Sequence, residues 1–396
     1  MPHYDFDTVI DRHGTGSLKY DCAAQRGHSE DELPLWVADM DFKCPQPVID
    51  ALKARADEGI FGYTEPDEAY FAAVRAWFQH RHGWTPHREW LTVTPGVVYA
   101  LACAVKAFAA PGESVLIQPP VYYPFKEVVE DNGRTLVEAP LVYLKEYATY
   151  RIDFDAFEQA IVDNDVKVFL LCNPHNPVGR VWSRAELKKL GDICAAHKVV
   201  VIADEIHADF ARAGFQHTSF ATLGADYANN AVICTAATKS FNLAGLQASN
   251  IFIPNPDMKR AFDHENAAQG YSQAAIMGMT ATRAAYEQGG SWLDALKEYL
   301  DKNYRFMCAY LGQHAPMLNV IDLQSTYLVW VDCNALGLDD DQLKELVEKK
   351  AKLWLDMGSI FGKSGSGFIR FNIACPCETL EEALRRLCGA IEGLGK

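Results

Sequence analysis

Two kinds of apolar run alternate along the chain. "EWLTVTPG", "ESVLIQPP", "VKVFLLCNP", "KVVVIADEIH" and "AVICTAATK" are short and rich in β-branched residues, and several are apolar throughout. A strand covered on one face alternates and one covered on both faces does not, so these runs predict a mostly parallel sheet with helices on either side. Between them lie segments of helical period. "GVVYALACAVKAFAA" is ended by Pro111 and Gly112, and "SRAELKKLGDICAAH" has Ser183 as its expected N-cap, with Glu186 completing a capping box. Together these predict a large α/β domain over residues 50–285.

The pattern changes after that. A long helical segment, "SWLDALKEYLDKNYRFMCAYLGQHA", leads into the alternating runs "TYLVWVDC" and "FIRFNIA" and a final helix, "ETLEEALRRLCGAIEGL". Helices beside an antiparallel sheet predict a smaller α+β domain over residues 286–396, with residues 1–49 forming an arm and packing against it.

Composition narrows the class. A chain of 396 residues is long enough for two domains, and 49% hydrophobic with 22% charged residues is the usage of a globular enzyme and excludes disorder. A net charge of -15 without any cluster of Lys and Arg excludes nonspecific binding to nucleic acid or anionic membrane. "MPHYDFDTVIDRHG" lacks the basic flank and apolar stretch of a signal peptide, and no run is suited to spanning a bilayer, so a cytoplasmic protein is expected. The 11 cysteines are scattered through apolar segments. Cys375 and Cys377 are too closely spaced for an ordinary zinc pair and have no partner pair, so no metal site is expected. His80 and His82 in "QHRHG" read as a solvated helix end.

Open α/β sheets collect ligands at the carboxyl ends of their strands. Chemistry-bearing residues follow five of the runs. Gly96, Val97 and Val98 open a helix after "LTVTP"; Tyr122 and Tyr123 follow "VLIQPP"; Asn176 lies in the amide-rich turn after "VFLLC"; Asp204, Glu205 and His207 follow "VVVIA"; Thr238 and Lys239 follow "AVICTAA". Each is unremarkable alone. A phosphate cradle, a stacking aromatic, an amide, a carboxylate and a lysine at successive strand ends are together the set that holds a phosphorylated, planar, electron-accepting ring by an imine, which is pyridoxal phosphate. Lys239 then joins the ring's aldehyde and serves as base at the substrate α-carbon, with burial lowering its pKa. Asp204 keeps the ring nitrogen protonated, Asn176 donates to the ring's phenolic oxygen with His207 behind it, and Tyr122 stacks on the ring. Gly96, Val97 and Thr238 hold the phosphate. For the substrate carboxylate the chain offers Arg370 in "GSGFIRFNIACP"; a buried structural ion pair explains it equally well.

In order, "TPGVV", "PPVYYPF", "NPHNPVGRVW", "ADEIHADF", "ATKSFNLAGL" and "FIRFNIA" resemble the fold-type I pyridoxal-phosphate enzymes, the aspartate aminotransferase superfamily. "RHGTGSLKYD", "LWVADMDF", "FGYTEP" and "STYLVWVD" are similar to its cystathionine β-lyases of the MalY/PatB type, and the resemblance covers nearly the whole chain. It implies a homodimer with shared active sites. Tyr63 then reaches the partner's cofactor phosphate, and Ala38 and Asp39 border the substrate carboxylate held by Arg370. Gln247 departs from the wider superfamily, where an arginine often binds the phosphate.

The strand-end residues do not choose between β-elimination and transamination. The subgroup resemblance implies β-elimination of L-cystathionine or another cysteine S-conjugate. An aminotransferase of aromatic or neutral amino acids and a cofactor-binding regulatory protein are the alternatives.

Overall fold

The computed structural model describes residues 4–395. Seven strands form the main sheet: β1 Leu91–Thr94, β2 Ser114–Ile117, β3 Thr135–Glu138, β4 Val166–Cys172, β5 Val200–Asp204, β6 Ala231–Thr235 and β7 Ser249–Phe252. Their order is β1-β7-β6-β5-β4-β2-β3, and only β7 runs antiparallel to its neighbours. The unbroken apolar runs are explained by cover on both faces. Along β4, Val168 and Leu170 join one core with Ala100, Leu101 and Ala104, while Phe169 and Leu171 join the other with Leu187, Leu190 and Cys194. Successive side chains of a strand point to opposite faces, so one strand feeds both layers.

The helices that matter for the site are α1 Gln46–Asp57, α2 Glu68–His82, α3 Val97–Phe108, α4 Arg184–Ala196, α5 Ala237–Ser240, α6 Ile276–Gln288, α7 Gly290–His314 and α8 Cys377–Glu392. The capping box of α4 forms, with Ser183 and Glu186 bonding reciprocally. Asp67 caps α2 through the Tyr70 N–H. No side chain caps α3, whose N-cap is Gly96. α1 lies against α6, and positions 50 and 285 fall inside these two helices.

A second, antiparallel sheet comprises β8 Asn319–Val320, β9 Leu328–Asp332, β10 Asp356–Met357 and β11 Phe368–Asn372, in the order β8-β9-β11-β10. Leu33–Pro34 pairs with Leu353–Trp354, so the N-terminal segment packs beside this sheet. The alternation read in "TYLVWVDC" and "FIRFNIA" is not an exposure pattern, since every residue of β9 and β11 is buried. The second face is covered as well: Trp330 stacks on Phe368 at 5.1 Å and donates to the Tyr150 hydroxyl at 3.1 Å. The polar residues of these strands are buried because they are partnered, as when Asn372 Nδ2 donates to the carbonyls of Val37 and Asp39.

His82 corrects an expectation. His80 is exposed, but the His82 side chain is 6% exposed and bonds Asp209 at 2.8 Å. Among the described residues, no helix is long and apolar enough to cross a membrane.

Candidate active site

The register of the main sheet sets Asp204, the last residue of β5, beside Cys172 on β4 and Cys234 on β6. A cavity of about 380 Å³ opens above this row. Gly96, Val97 and Val98 line it from the start of α3, Tyr122 from the segment after β2, and Asn176 from the turn after β4. Asp204 and His207 form its floor from the end of β5, with Thr238 and Lys239 from α5 and Ala38 from the N-terminal segment. Every strand-end residue singled out in the sequence for the cofactor therefore meets in one cavity. Tyr122 rather than Tyr123 lines it.

Lys239 is half-buried, and its amine donates to the Ala38 carbonyl at 2.7 Å. The same carbonyl accepts from the Tyr327 hydroxyl at 3.0 Å. Burial lowers the Lys239 pKa to about 8, an effect opposed by the charges of Asp39 and Asp204 and reinforced by that of Arg370. A lysine in this range supplies free amine near neutral pH.

Asp204 shows the opposite problem. Its carboxylate is buried, and among the described residues the only donor within reach is the Ile206 N–H at 3.1 Å. Burial pushes its pKa up to about 7, although Ile206 and the charge of Lys239 pull the other way. A buried carboxylate with one neutral donor is short of a partner. His207 is also under-partnered. Its Nδ1 is buried without a hydrogen bond, and burial, with the charges of Lys239 and Arg370, lowers its pKa to about 3, which keeps the ring neutral. His207 forms no hydrogen bond with Asn176; it faces the cavity itself.

Asn176 is oriented from outside the cavity. Its Oδ1 accepts from Arg370 Nη1 at 3.0 Å, and because a guanidinium only donates, this contact assigns the amide and leaves the NH₂ free to donate. The N-terminus of α3 supplies backbone N–H groups and the positive end of a helix dipole, uncapped by any side chain. Gln247, exposed and in the left-handed region at φ 49°, stands at the rim.

Three expected residues lie off the cavity wall. Arg370 is buried one residue beyond it, bonded to Asn176, to the Trp36 carbonyl at 2.9 Å and to Asp356, with its Nε unpartnered. The ion pair with Asp356 shows that the structural reading of Arg370 holds, and the link to Asn176 ties that pair to the site. Asp39 turns its carboxylate away to Arg12 at 2.8 Å and Lys19 at 4.0 Å. Tyr63 is 94% exposed on an irregular surface segment. Sequence reasoning missed Tyr327, Asn372, Asn242 and Asp356. Asn372 carried a usable signal, since it is two residues from Arg370 and shares its face of β11.

The profile of the Aminotransferase class I and II family matches residues 30–387. The chain belongs to this family. It is 44% identical over 387 residues to the cystathionine beta-lyase PatB of Bacillus subtilis, covering 98% of this chain and 100% of that one. A PLP-bound putative aminotransferase from Clostridium difficile is similar in structure, with a TM-score of 0.96, 40% identity and coverage of 98% and 100% of the two chains. Cystalysin from Treponema denticola, whose crystal structure contains pyridoxal 5'-phosphate, matches with a TM-score of 0.96 and 37% identity over 99% of this chain and 100% of that one. In a member of this family, the strand-end cavity is the place to look for chemistry.

Proposed function

We propose that the chain is a pyridoxal-phosphate-dependent carbon-sulfur β-lyase that converts L-cystathionine or a related cysteine S-conjugate, with one water, to a thiol, pyruvate and ammonia. The observation that carries this reading is the pairing, in one cavity, of a lysine with lowered pKa and a buried carboxylate short of a donor. The residues fit the cofactor. Asp204 lacks the cationic N–H partner that a protonated ring nitrogen provides, the uncapped start of α3 suits a phosphate, and Tyr122 offers a ring face. Bound there, pyridoxal phosphate supplies an electron-accepting ring that stabilises the electron pair left at the substrate α-carbon.

The chain's own residues do the rest. Lys239 holds the cofactor, then takes the α-proton on its amine, and the Ala38 carbonyl orients that amine. Asp204 stays ionised against the ring nitrogen. The Asn176 NH₂ donates to the ring oxygen, held in place by Arg370. Arg370, bonded to Asn176 at the cavity wall, keeps its Nε and one Nη1 N–H without a partner and is the residue proposed for the substrate carboxylate. Thr238 binds the phosphate with Gly96, Val97 and Val98.

The same proposal includes a homodimer. Ile60, Phe61 and Tyr63 are 75%, 59% and 94% exposed in one short segment, a bare apolar surface that suits cover by a second copy. Tyr63 then completes the partner's phosphate site. Mixing Tyr63→Ala with Lys239→Ala protein checks this, because hybrid dimers carry one intact site and recover activity, whereas a site built from one chain recovers none. The proposal keeps the division into an arm at residues 1–49, a large domain at 50–285 and a small domain at 286–396.

Similarity to PatB favours elimination, and similarity to a protein called a putative aminotransferase keeps transamination as the second reading. Product analysis with L-cystathionine separates them. Pyruvate and thiol formed in equal amounts without any keto acid support the lyase, and turnover that requires a keto acid supports transamination.

A further inference from the structure

Behind the cavity lies a buried polar cluster that the chemistry above does not use. Its hub is Asp209, five residues beyond Asp204, with a side chain 8% exposed. One oxygen accepts from His82 Nε2 at 2.8 Å and from Trp77 Nε1 at 3.2 Å, both on α2. The other accepts from the Ser240 hydroxyl, on the residue next to Lys239. Burial alone pushes a carboxylate up, yet the bonds from His82 and Ser240 and the charges of His82 and Lys297 bring Asp209 below its ordinary value. Beside this hub, His217 pairs with Glu205 at 3.3 Å and meets His82 edge-on at 5.5 Å.

The contacts close a ring around Lys239. Its amine donates to Ala38, whose carbonyl also accepts from Tyr327. Tyr327 packs edge-on against Phe210 at 5.0 Å, Phe210 follows Asp209, and Asp209 returns to Ser240. On the opposite flank Asn242 bonds the backbone of Met40 and Phe42, so α5 is tethered on two sides. A four-residue helix has little rigidity of its own, and the direction of its lysine depends on such tethers.

We propose that Asp209 is a positioning residue for Lys239, acting through the Ser240 hydroxyl to hold the amine where it meets an incoming aldehyde. This rests on the reading of Lys239 as the cofactor-binding lysine. The test follows capture of pyridoxal phosphate by cofactor-free, full-length protein, using the rise of visible absorbance in stopped flow, beside a thermal melt of each variant. Ser240→Ala and Asp209→Ala are each expected to slow capture by about ten-fold or more, since loss of alignment costs orders of magnitude. The double variant is expected to be no slower than the slower single one. Trp77→Phe removes a donor to Asp209 and leaves its bond to Ser240, so it is expected to lower the melting temperature and keep capture within about two-fold of the parent. Parental capture by Ser240→Ala overturns the proposal even if Asp209→Ala does not fold, and so does slowing by Trp77→Phe equal to that of Ser240→Ala. Failure of the parent itself to capture, or capture by Lys239→Ala, overturns the reading of Lys239 instead.

Discussion

Asp204 ends β5 and Asp209 follows five residues later, both with side chains almost withdrawn from solvent, and they sit in opposite environments. Asp204 faces the cavity with one backbone donor and a pKa raised to about 7. Asp209 faces away from it, with three side-chain donors and a pKa below the ordinary value. A buried carboxylate left short of partners on a cavity wall marks a place suited to a ligand, and a carboxylate fully supplied marks scaffold. Arg370 lies between these cases: paired with Asp356 like scaffold, but with Nε unpartnered and Asn176 in its grip.

The largest expected effect is on the lysine that both carboxylates serve. Lys239→Ala removes the reacting amine, and pyruvate release is expected to fall by about a thousand-fold or more. Next comes Asp204→Asn, expected to cut turnover about a hundred-fold and weaken cofactor binding, because an amide cannot keep the ring nitrogen protonated. Turnover near the parental rate contradicts the role given to Asp204. Arg370→Ala is expected to raise KM about a hundred-fold while leaving the cofactor's absorbance in place, and to lower stability by about 3–5 kcal/mol through the stranded Asp356 charge. Loss of the absorbance instead makes Arg370 part of the cofactor site.

The pH dependence of the cofactor-free protein sharpens the comparison further. The folded-state pKa of Asp204 lies above that of an unfolded Asp, so the folded form binds the extra proton and stability falls as pH rises from about 4 to about 7. Asp204→Asn is expected to remove this fall and make the cofactor-free protein more stable at pH 8, by up to about 4 kcal/mol. Melting curves across this range check it, and an unchanged slope contradicts the assignment. The smallest effect belongs to Asp39, whose charge raises the Lys239 pKa. Asp39→Asn is expected to move the rise with pH of cofactor capture by the free Lys239 amine to lower pH by a fraction of a unit, with the Arg12 contact kept as a hydrogen bond.

Much of this was legible in the sequence because it is local. Unbroken runs such as "VKVFLLC" announced strands buried on both faces, and five of the strand ends carried their chemistry within a few residues. β9 and β11 were read as antiparallel strands and are, but burial of both their faces was not legible, because the cover comes from distant residues such as Tyr150, whose hydroxyl accepts from Trp330. His82 misled for a related reason. Its neighbours His80 and Arg81 are those of a helix end, and its partner Asp209 is 127 positions away. The ring of Tyr327, Ala38 and Ser240 about Lys239 joins segments from both ends of the chain, and no spacing rule brings these together.

The measurement that bears most directly on the central claim is the identity of the lysine that holds pyridoxal phosphate. Protein incubated with the cofactor is reduced with borohydride, digested and sequenced by mass spectrometry. The account expects the added mass on Lys239, in the peptide containing "AATKSFNLAGL". Added mass on another lysine, or on none, contradicts it.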